Sequence, residues 1–270
     1  MRNDENHMQI IKIGMINNKD NVKGCESAPN SILKALKSIG SNEKGETMEY
    51  NALNLEEIHI NMGNLQEANH LIYENSKEIL EKNFFSIFLG GDHSISYPIL
   101  KAFNKIEEDP MLIIFDSHPD CMESGKIPDN HSWLRKLIEE GYNPSGIILI
   151  STRNMNLEEL EFLEENKILI IKMDLLREDM ESVCDLVMER ARNSSGFYIS
   201  IDIDSIDPAY APGTADIEPG GLSSRDILYF IKRLKLLKNL KGADIVEINP
   251  KLDFNNMTVK LGAKILSELI

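Results

Sequence analysis

The sequence predicts an α/β fold of three layers (α/β/α), with helices covering both faces of a mostly parallel sheet of about eight strands. The first indication is a set of continuous apolar runs, at 84–89, 111–115 and 197–203. They lack the alternation of a half-exposed strand and so read as strands buried on both faces. The second is the regular spacing of such runs with amphipathic segments of helix length. The third is size: 270 residues without a composition shift suit one large domain, residues 1–270, with a substantial core.

In chain order, Gln9 to Ile16 is the first strand, followed by a polar, turn-forming loop from Asn17 to Gly24. Ser27 is placed to cap a helix running to about Ile39, with Pro29 tolerated in its first turn. A weak strand over 48–55 and a helix over 64–82 come next. Strand 84–89 leads to a helix near 96–107, and strand 111–115 to a helix near 131–140. Strand 146–151 precedes a helix over 157–165, and strand 167–172 a long amphipathic helix over 174–192. Strand 197–203 opens onto a Pro/Gly-rich loop, 208–221. Ser223-Ser224-Arg225-Asp226 has capping-box spacing and starts a helix to about Leu237. A strand over 242–249 and a helix over 258–269 complete the alternation.

Ligand-type side chains gather where three of the buried strands end, which is the edge at which open α/β sheets bind ligands. Those ends read Gly90-Gly91-Asp92-His93-Ser94, Asp116-Ser117-His118-Pro119-Asp120 and Asp202-Ile203-Asp204. In an extended chain alternate residues share a side, so Asp116, His118 and Asp120 are expected to converge. With His93, Asp202 and Asp204 they supply four carboxylates and two imidazoles, enough to balance two divalent cations. A single cation would leave several buried carboxylates unneutralised. Mostly oxygen ligands with one or two His favour Mn²⁺ over Zn²⁺ or Mg²⁺, with Fe, Co and Ni left open. Two ions about 3.5–4 Å apart share and acidify a water, so the expected chemistry is hydrolysis at an electrophilic carbon or phosphorus. A phosphate ester would call for a basic group, and these loops offer acids.

Glu247 is a late charge in an apolar strand, Ala243 to Asn249. A carboxylate there needs a partner. Either a planar guanidinium substrate or an Arg of the chain, such as Arg153, would serve. His131, at a loop-to-helix junction, is either an exposed helix-start residue or a proton shuttle to a leaving amine. His7, His59 and His70 sit among polar residues and read as surface groups.

The formal net charge of -15 argues against nucleic acid and anionic membranes as partners. It suits a cationic substrate or serves solubility alone. Cys25, Cys121 and Cys184 show no pairing pattern, and Cys121 reads either as a small buried residue or as a neighbour of the site. Met1 to His7 lacks a signal-peptide pattern and no apolar run approaches the roughly 20 residues of a membrane span, so a cytoplasmic setting is expected.

Five segments occur in a fixed order: Gly-Gly-Asp-His-Ser at 90–94, Asp-Ser-His-Pro-Asp at 116–120, Ser-Ile-Asp-Ile-Asp-Ser-Ile-Asp-Pro-Ala-Tyr-Ala-Pro-Gly-Thr at 200–214, Gly-Gly-Leu-Ser-Ser-Arg at 220–225 and Val-Glu-Ile-Asn-Pro at 246–250. In these the chain resembles the arginase/agmatinase ureohydrolases, and the likeness of 24–29 and 258–269 extends it over nearly the whole sequence. The resemblance implies an arginase-like α/β/α fold and a two-Mn²⁺ site whose bridging hydroxide hydrolyses a guanidino C–N bond to urea and an amine. It assigns His93 and Asp120 to one ion, His118 and Asp204 to the other, and Asp116 and Asp202 as bridges. Glu247 would hold the guanidinium, His131 would shuttle the proton, and the chain would assemble as a homo-oligomer, a trimer or hexamer. Ser117 and Ala215 depart from the family pattern, as do Asn154 and Asn156 where arginases carry acids. The loop Cys121–Asn130 also lacks the Ser/Asn-rich pattern that holds the arginine carboxylate. These departures turn the expected substrate from arginine towards agmatine, another guanidino compound or the formimino substrate of a formimidoylglutamase. A metal-binding scaffold without turnover is the contrasting reading.

Overall fold

The structure, a computed structural model, describes residues 8–17, 22–47 and 49–270. Met1–His7, Met48 and positions 18–21 of the first loop lie outside the described residues, and with them the expectations for His7 and for the start of the second strand. One sheet contains β1 (Met8–Ile13), β2 (Asn54–Glu57), β3 (Phe85–Gly90), β4 (Pro110–Phe115), β5 (Ile147–Ile150), β6 (Leu169–Ile171), β7 (Gly196–Asp202) and β8 (Leu240–Val246). Its order is β2-β1-β3-β8-β7-β4-β5-β6. Each pairing is parallel, so the sheet is parallel throughout and not merely for the most part.

Period-two alternation sorts the strand residues into two cores. Ile113 and Phe115 pack with Ile32, Val187, Phe230 and Leu266, which lie on α1 (Ala28–Leu36), α7 (Met180–Asn193), α8 (Ser224–Leu234) and α9 (Met257–Leu269). Their neighbours Leu112 and Ile114 pack with Ile72, Phe103, Trp133 and Leu163 on the opposite face. Those belong to α2 (Leu65–Glu81), α3 (Ser96–Ile106), α4 (Trp133–Glu139) and α5 (Leu157–Glu165). Burial on both faces explains why the central strands are apolar without interruption.

Several elements differ from expectation for local reasons. The helix expected over 174–192 is two, α6 (Met173–Glu178) and α7, divided at Asp179. That residue leaves helical geometry (φ -154, ψ 79), and its carboxylate accepts the Ser182 N–H, capping α7. The apolar pattern continues across the break, which hides it. The second strand is confined to Asn54–Glu57, after a 3-10 turn at Tyr50–Ala52, and all four residues are exposed at the sheet edge. The first strand stops at Ile13 rather than Ile16. Ser27 lies in a 3-10 turn and makes no capping hydrogen bond to α1; its Oγ donates to the Gly24 carbonyl. The capping box of Ser223 and Asp226 forms as expected.

The turn after β3 is pressed against the end of β1. Gly91 N–H donates to the Ile13 carbonyl and Asp92 N–H to that of Met15. A Cβ at residue 91 would meet the Met15 carbonyl oxygen at 1.9 Å. Gly91→Ala is therefore expected to cost about 3 kcal/mol or more in urea unfolding, because backbone must move. Gly40→Ala, where nothing lies within 4 Å, should change stability by less than about 1 kcal/mol.

Candidate metal centre

The ligand-type residues come from four strands that are contiguous in the sheet, β3-β8-β7-β4. His93 follows β3, Asp116, His118 and Asp120 follow β4, Asp202 ends β7 with Asp204 just beyond, and Glu247 follows β8. The chain passes from β3 through α3 to β4 over the two strands that lie between them, so the site occupies the crevice where strand order changes direction.

Convergence does not come from extended chain, as alternate spacing suggested, but from tight turns after the strands end. In each turn the first Asp accepts the N–H two residues on: Asp92 from Ser94 (3.2 Å), Asp116 from His118 (2.7 Å) and Asp202 from Asp204 (2.8 Å). Asp120 then adopts a left-handed backbone, φ 51. The expected strand over 242–249 likewise stops at Val246, and Glu247 is left-handed at φ 62. Its N–H donates to the Gly91 carbonyl, which fixes the bend that aims the carboxylate inward.

Among the described residues two groups could hold a metal ion: His93, Asp116 and Asp120, and Asp116, His118 and Asp204. Asp116 is common to both. His93 Nδ1 lies 3.1 Å from Asp116 Oδ2, 3.0 Å from Asp120 Oδ2 and 3.2 Å from Asp202 Oδ2, so Asp202 stands beside the first group. In the second, His118 Nδ1 is 2.9 Å from Asp204 Oδ2 and 3.8 Å from Asp116 Oδ1. Ligands about 2.0–2.2 Å from one ion stand about 3 Å apart when adjacent in an octahedron, so these spacings fit a shared cation. His93 Nδ1 is moreover buried without a hydrogen-bond partner although carboxylate oxygens surround it. The donor set and this orphaned nitrogen fit a divalent ion.

The electrostatics point the same way. Burial, then Asp120, Asp204 and Asp202, hold the Asp116 carboxyl well above the usual range. Burial and Asp204 push Asp202 up to about 8. Burial pulls His118 down, but Asp204, Asp116 and Asp120 outweigh it and hold the imidazole at about 11. Burial is likewise outweighed at His93, raised by Asp116, Asp120 and Asp202, and at Asp204, lowered by His118 and the Ser117 N–H. A surplus of buried negative charge raises carboxyls and imidazoles together.

Behind the ligand-type residues lies a buried chain that sequence reading missed. His93 Nε2 is 2.9 Å from Ser200 Oγ, which donates to Asp244 at 2.7 Å, and Ser96 Oγ donates to the other Asp244 oxygen at 2.9 Å. An acid inside the apolar run 243–246 was the available signal. On the other side Ser117 Oγ is 3.0 Å from His118 Nδ1, its N–H donates to Asp204, and its carbonyl accepts the N–H groups of Arg153 and Asn154.

Arg153 is not the partner of Glu247. Its guanidinium donates to the carbonyls of Ser151, Asp204, Ser205, Glu218 and Pro219, tying the 208–221 loop to the sheet. Glu247 is 4% exposed, accepts the His93 N–H at 2.8 Å, and makes no ion pair with a cationic side chain among the described residues. Burial, then Asp202 and Asp92, hold its carboxyl well above the usual range. Cys25 Sγ is 3.8 Å from its other oxygen. Cys121 is buried with its Sγ against the Pro119 carbonyl, and His59 and His70 are exposed.

A narrow crevice of about 10 Å³ lies over the acids, bounded by Glu247, Asn130, His131, Thr214 and Asp216. His131 stands two residues before α4, with Nε2 3.9 Å from Asp216 Oδ2 and its ring 6.5 Å from that of His118. Asn154 donates to Glu218 at 2.9 Å. Asp216 and Glu218 were not singled out from sequence; they sit in the loop whose Pro and Gly content alone was legible.

A parallel sheet in which three central strands deliver acids and imidazoles able to hold metal, with Glu247 beside them from a fourth, defines the class: an α/β protein of ureohydrolase architecture. A sequence model of the arginase family matches residues 6–270, and the chain belongs to that family. It is 33% identical over 216 residues to the agmatinase of Bacillus subtilis (strain 168), covering 79% of this chain and 72% of that protein. It is 36% identical over 206 residues to the mitochondrial arginase 1 of Arabidopsis thaliana, covering 74% of this chain and 58% of the plant protein's length. Among solved structures, the formimidoylglutamase of Bacillus subtilis subsp. subtilis str. 168 superposes with a TM-score of 0.90 at 26% identity, over 97% of this chain and 85% of that one.

A divalent ion that binds the folded chain alone should stabilise it by about 2.7 kcal/mol per site at a free concentration of about 100 Kd. Thermal melts with Mn²⁺ and with EDTA check this. The folded Asp202 carboxyl holds its proton to about 8 against an ordinary 3.8, so its contribution to the metal-free protein is full below about 3.8 and is lost as pH climbs through about 8. Asp202→Asn should flatten that decline in metal-stripped protein and shrink the rise in Tm that Mn²⁺ brings.

Proposed function

We propose that this chain is a metal-dependent amidinohydrolase that hydrolyses the C–N bond of a small cationic guanidino compound, releasing urea and an amine. In this reading two Mn²⁺ ions are held by His93, Asp116, His118, Asp120, Asp202 and Asp204, with Glu247 and His131 as the catalytic pair. The observation that carries the substrate class is Glu247: a buried carboxylate, opening onto the cavity, without a cation of the chain's described residues against it. A planar guanidinium supplies the missing charge and two parallel N–H donors.

Bound divalent ions would acidify water at neutral pH and stabilise negative charge developing at the attacked carbon. Glu247 holds the guanidinium plane by its free lone pairs, while the His93 N–H keeps one carboxylate oxygen from turning away. His131, hinged at the cavity rim and facing Asp216, delivers a proton to the departing nitrogen, which leaves as the amine. Asn130 and Thr214 complete the lining.

The rim also bears on the rest of the substrate. Asp216 lines the opening, Glu218 accepts from Asn154, the described residues lining the crevice include no Lys or Arg, and the Arg153 guanidinium is engaged by carbonyls. That favours a neutral or cationic tail, as in agmatine, over the carboxylates of arginine or of a formimidoylglutamase substrate. A cytoplasmic setting and a homo-oligomeric assembly, trimer or hexamer, complete the proposal; the three cysteines are free thiols, as a reducing compartment requires. Light scattering of the purified chain reads the assembly directly.

Urea release by Mn²⁺-loaded protein should be measured over agmatine, guanidinobutyrate, guanidinopropionate, free guanidine and arginine. Turnover is expected with a guanidino compound lacking an α-carboxylate; formamide from a formimino substrate, with no urea from the panel, would overturn the reading. His131→Asn should lower kcat by about 10²–10⁴ with little change in KM, since the loss falls on proton transfer. Glu247→Gln should lower kcat/KM by about 10²-fold or more while leaving the metal stoichiometry at two per chain, read by elemental analysis.

A further inference from the structure

We propose that Trp133 is a positioning residue for Asp120, and that its indole N–H sets the affinity of the ion held by His93 and Asp120 without affecting the ion held by His118 and Asp204. The inference rests on the metal-centre reading given above. Trp133 is fully buried, at 0% exposure, in the first turn of α4. Its Nε1 donates to Asp120 Oδ2 at 2.7 Å, and this is the same oxygen that lies 3.0 Å from His93 Nδ1. Its ring also packs on the His93 ring, centroids 4.7 Å apart.

One indole thus touches two residues of the same group. A carboxylate oxygen has two lone pairs; the indole N–H occupies one and leaves the other facing the ion. The donor is neutral, so it fixes the carboxylate without competing as a cation, which Lys or Arg in its place would do. The backbone reinforces the arrangement. The Asp120 carbonyl accepts the Leu134 N–H at 3.2 Å and the Arg135 N–H at 3.5 Å, so three successive residues hold the left-handed Asp120. Among the described residues no comparable bond links α4 to the other group, where the Ser117 N–H holds Asp204 at 3.0 Å. The two ions therefore have separate supports, and losing one should be felt by one ion.

Partners of this kind are worth about 10–100-fold in metal affinity. The test compares full-length wild-type protein with Trp133→Phe, which retains a ring but loses the N–H. A second variant carries a benzothienyl side chain at 133, in which sulfur replaces the N–H with the shape retained; it decides the matter should the Phe variant not fold. Stepwise Mn²⁺ and Co²⁺ dissociation constants come from calorimetry on metal-stripped protein. Trp133 is the one tryptophan of the chain, so its emission reports from this position alone, and Co²⁺ should quench it as the adjacent ion binds.

The expected result is that one of two dissociation constants rises about 10–100-fold in both variants while the other is unchanged. Two unchanged constants in the benzothienyl variant would overturn the proposal. Equal weakening of both ions, the mark of general loosening, would overturn it too. Wild-type protein that binds no divalent ion would overturn the metal-centre reading itself, and the proposal with it.

Discussion

The constraint on which the rest of the structure depends is mutual repulsion among carboxylates gathered in a nearly dry crevice. Asp116, Asp120, Asp202, Asp204 and Glu247 are each less than 5% exposed. Backbone N–H groups counter the repulsion by holding the side chains in place: His118 to Asp116, Asp204 to Asp202, Ser117 to Asp204 and His93 to Glu247. These donors are spent on one oxygen of each of these four acids, and the Trp133 indole on one of Asp120, which leaves other oxygens in want of positive charge. The parallel sheet serves this arrangement, because only strands running the same way bring four carboxyl ends to one edge.

That organisation was legible in the sequence to an uneven degree. The buried strands announced themselves by unbroken apolar runs, and the six acid and imidazole residues by their position after them. What period and propensity could not convey is how those residues meet. The bends at Asp120 and Glu247 are left-handed, a state uncommon outside glycine though less so for Asp than for Glu, and the apolar period of the strands gave no sign of it. The break at Asp179 was invisible because the apolar stripe runs on through it, and a capping carboxylate rather than a polar gap makes the division. Asp244 was overlooked because a buried acid in a strand acquires meaning only through Ser96 and Ser200, which are 148 and 44 residues away in the chain.

Arg153 shows how a residue can resemble a partner and act as a brace. From sequence it was the candidate counter-ion for Glu247. In the fold its five-donor head collects carbonyls from the residue after β5, from the turn after β7 and from the 208–221 loop, joining three segments at one point. A guanidinium that satisfies backbone carbonyls has fewer donors to offer a carboxylate. On the proposed reading the interior glutamate is matched by the substrate, and the brace holds in place the loop that carries Asp216 to the rim.

Glu247 carries a further implication for how such chains drift. Its backbone state is one in which glycine is at ease, and its interior charge is unwelcome until a cation arrives. Stability alone would therefore replace it, and glycine is the obvious successor. On the proposed reading, a descendant relieved of turnover but still keeping its ions should surrender residue 247 before any of the six acid and imidazole positions, which would make that one site a fossil for telling working relatives from retired ones.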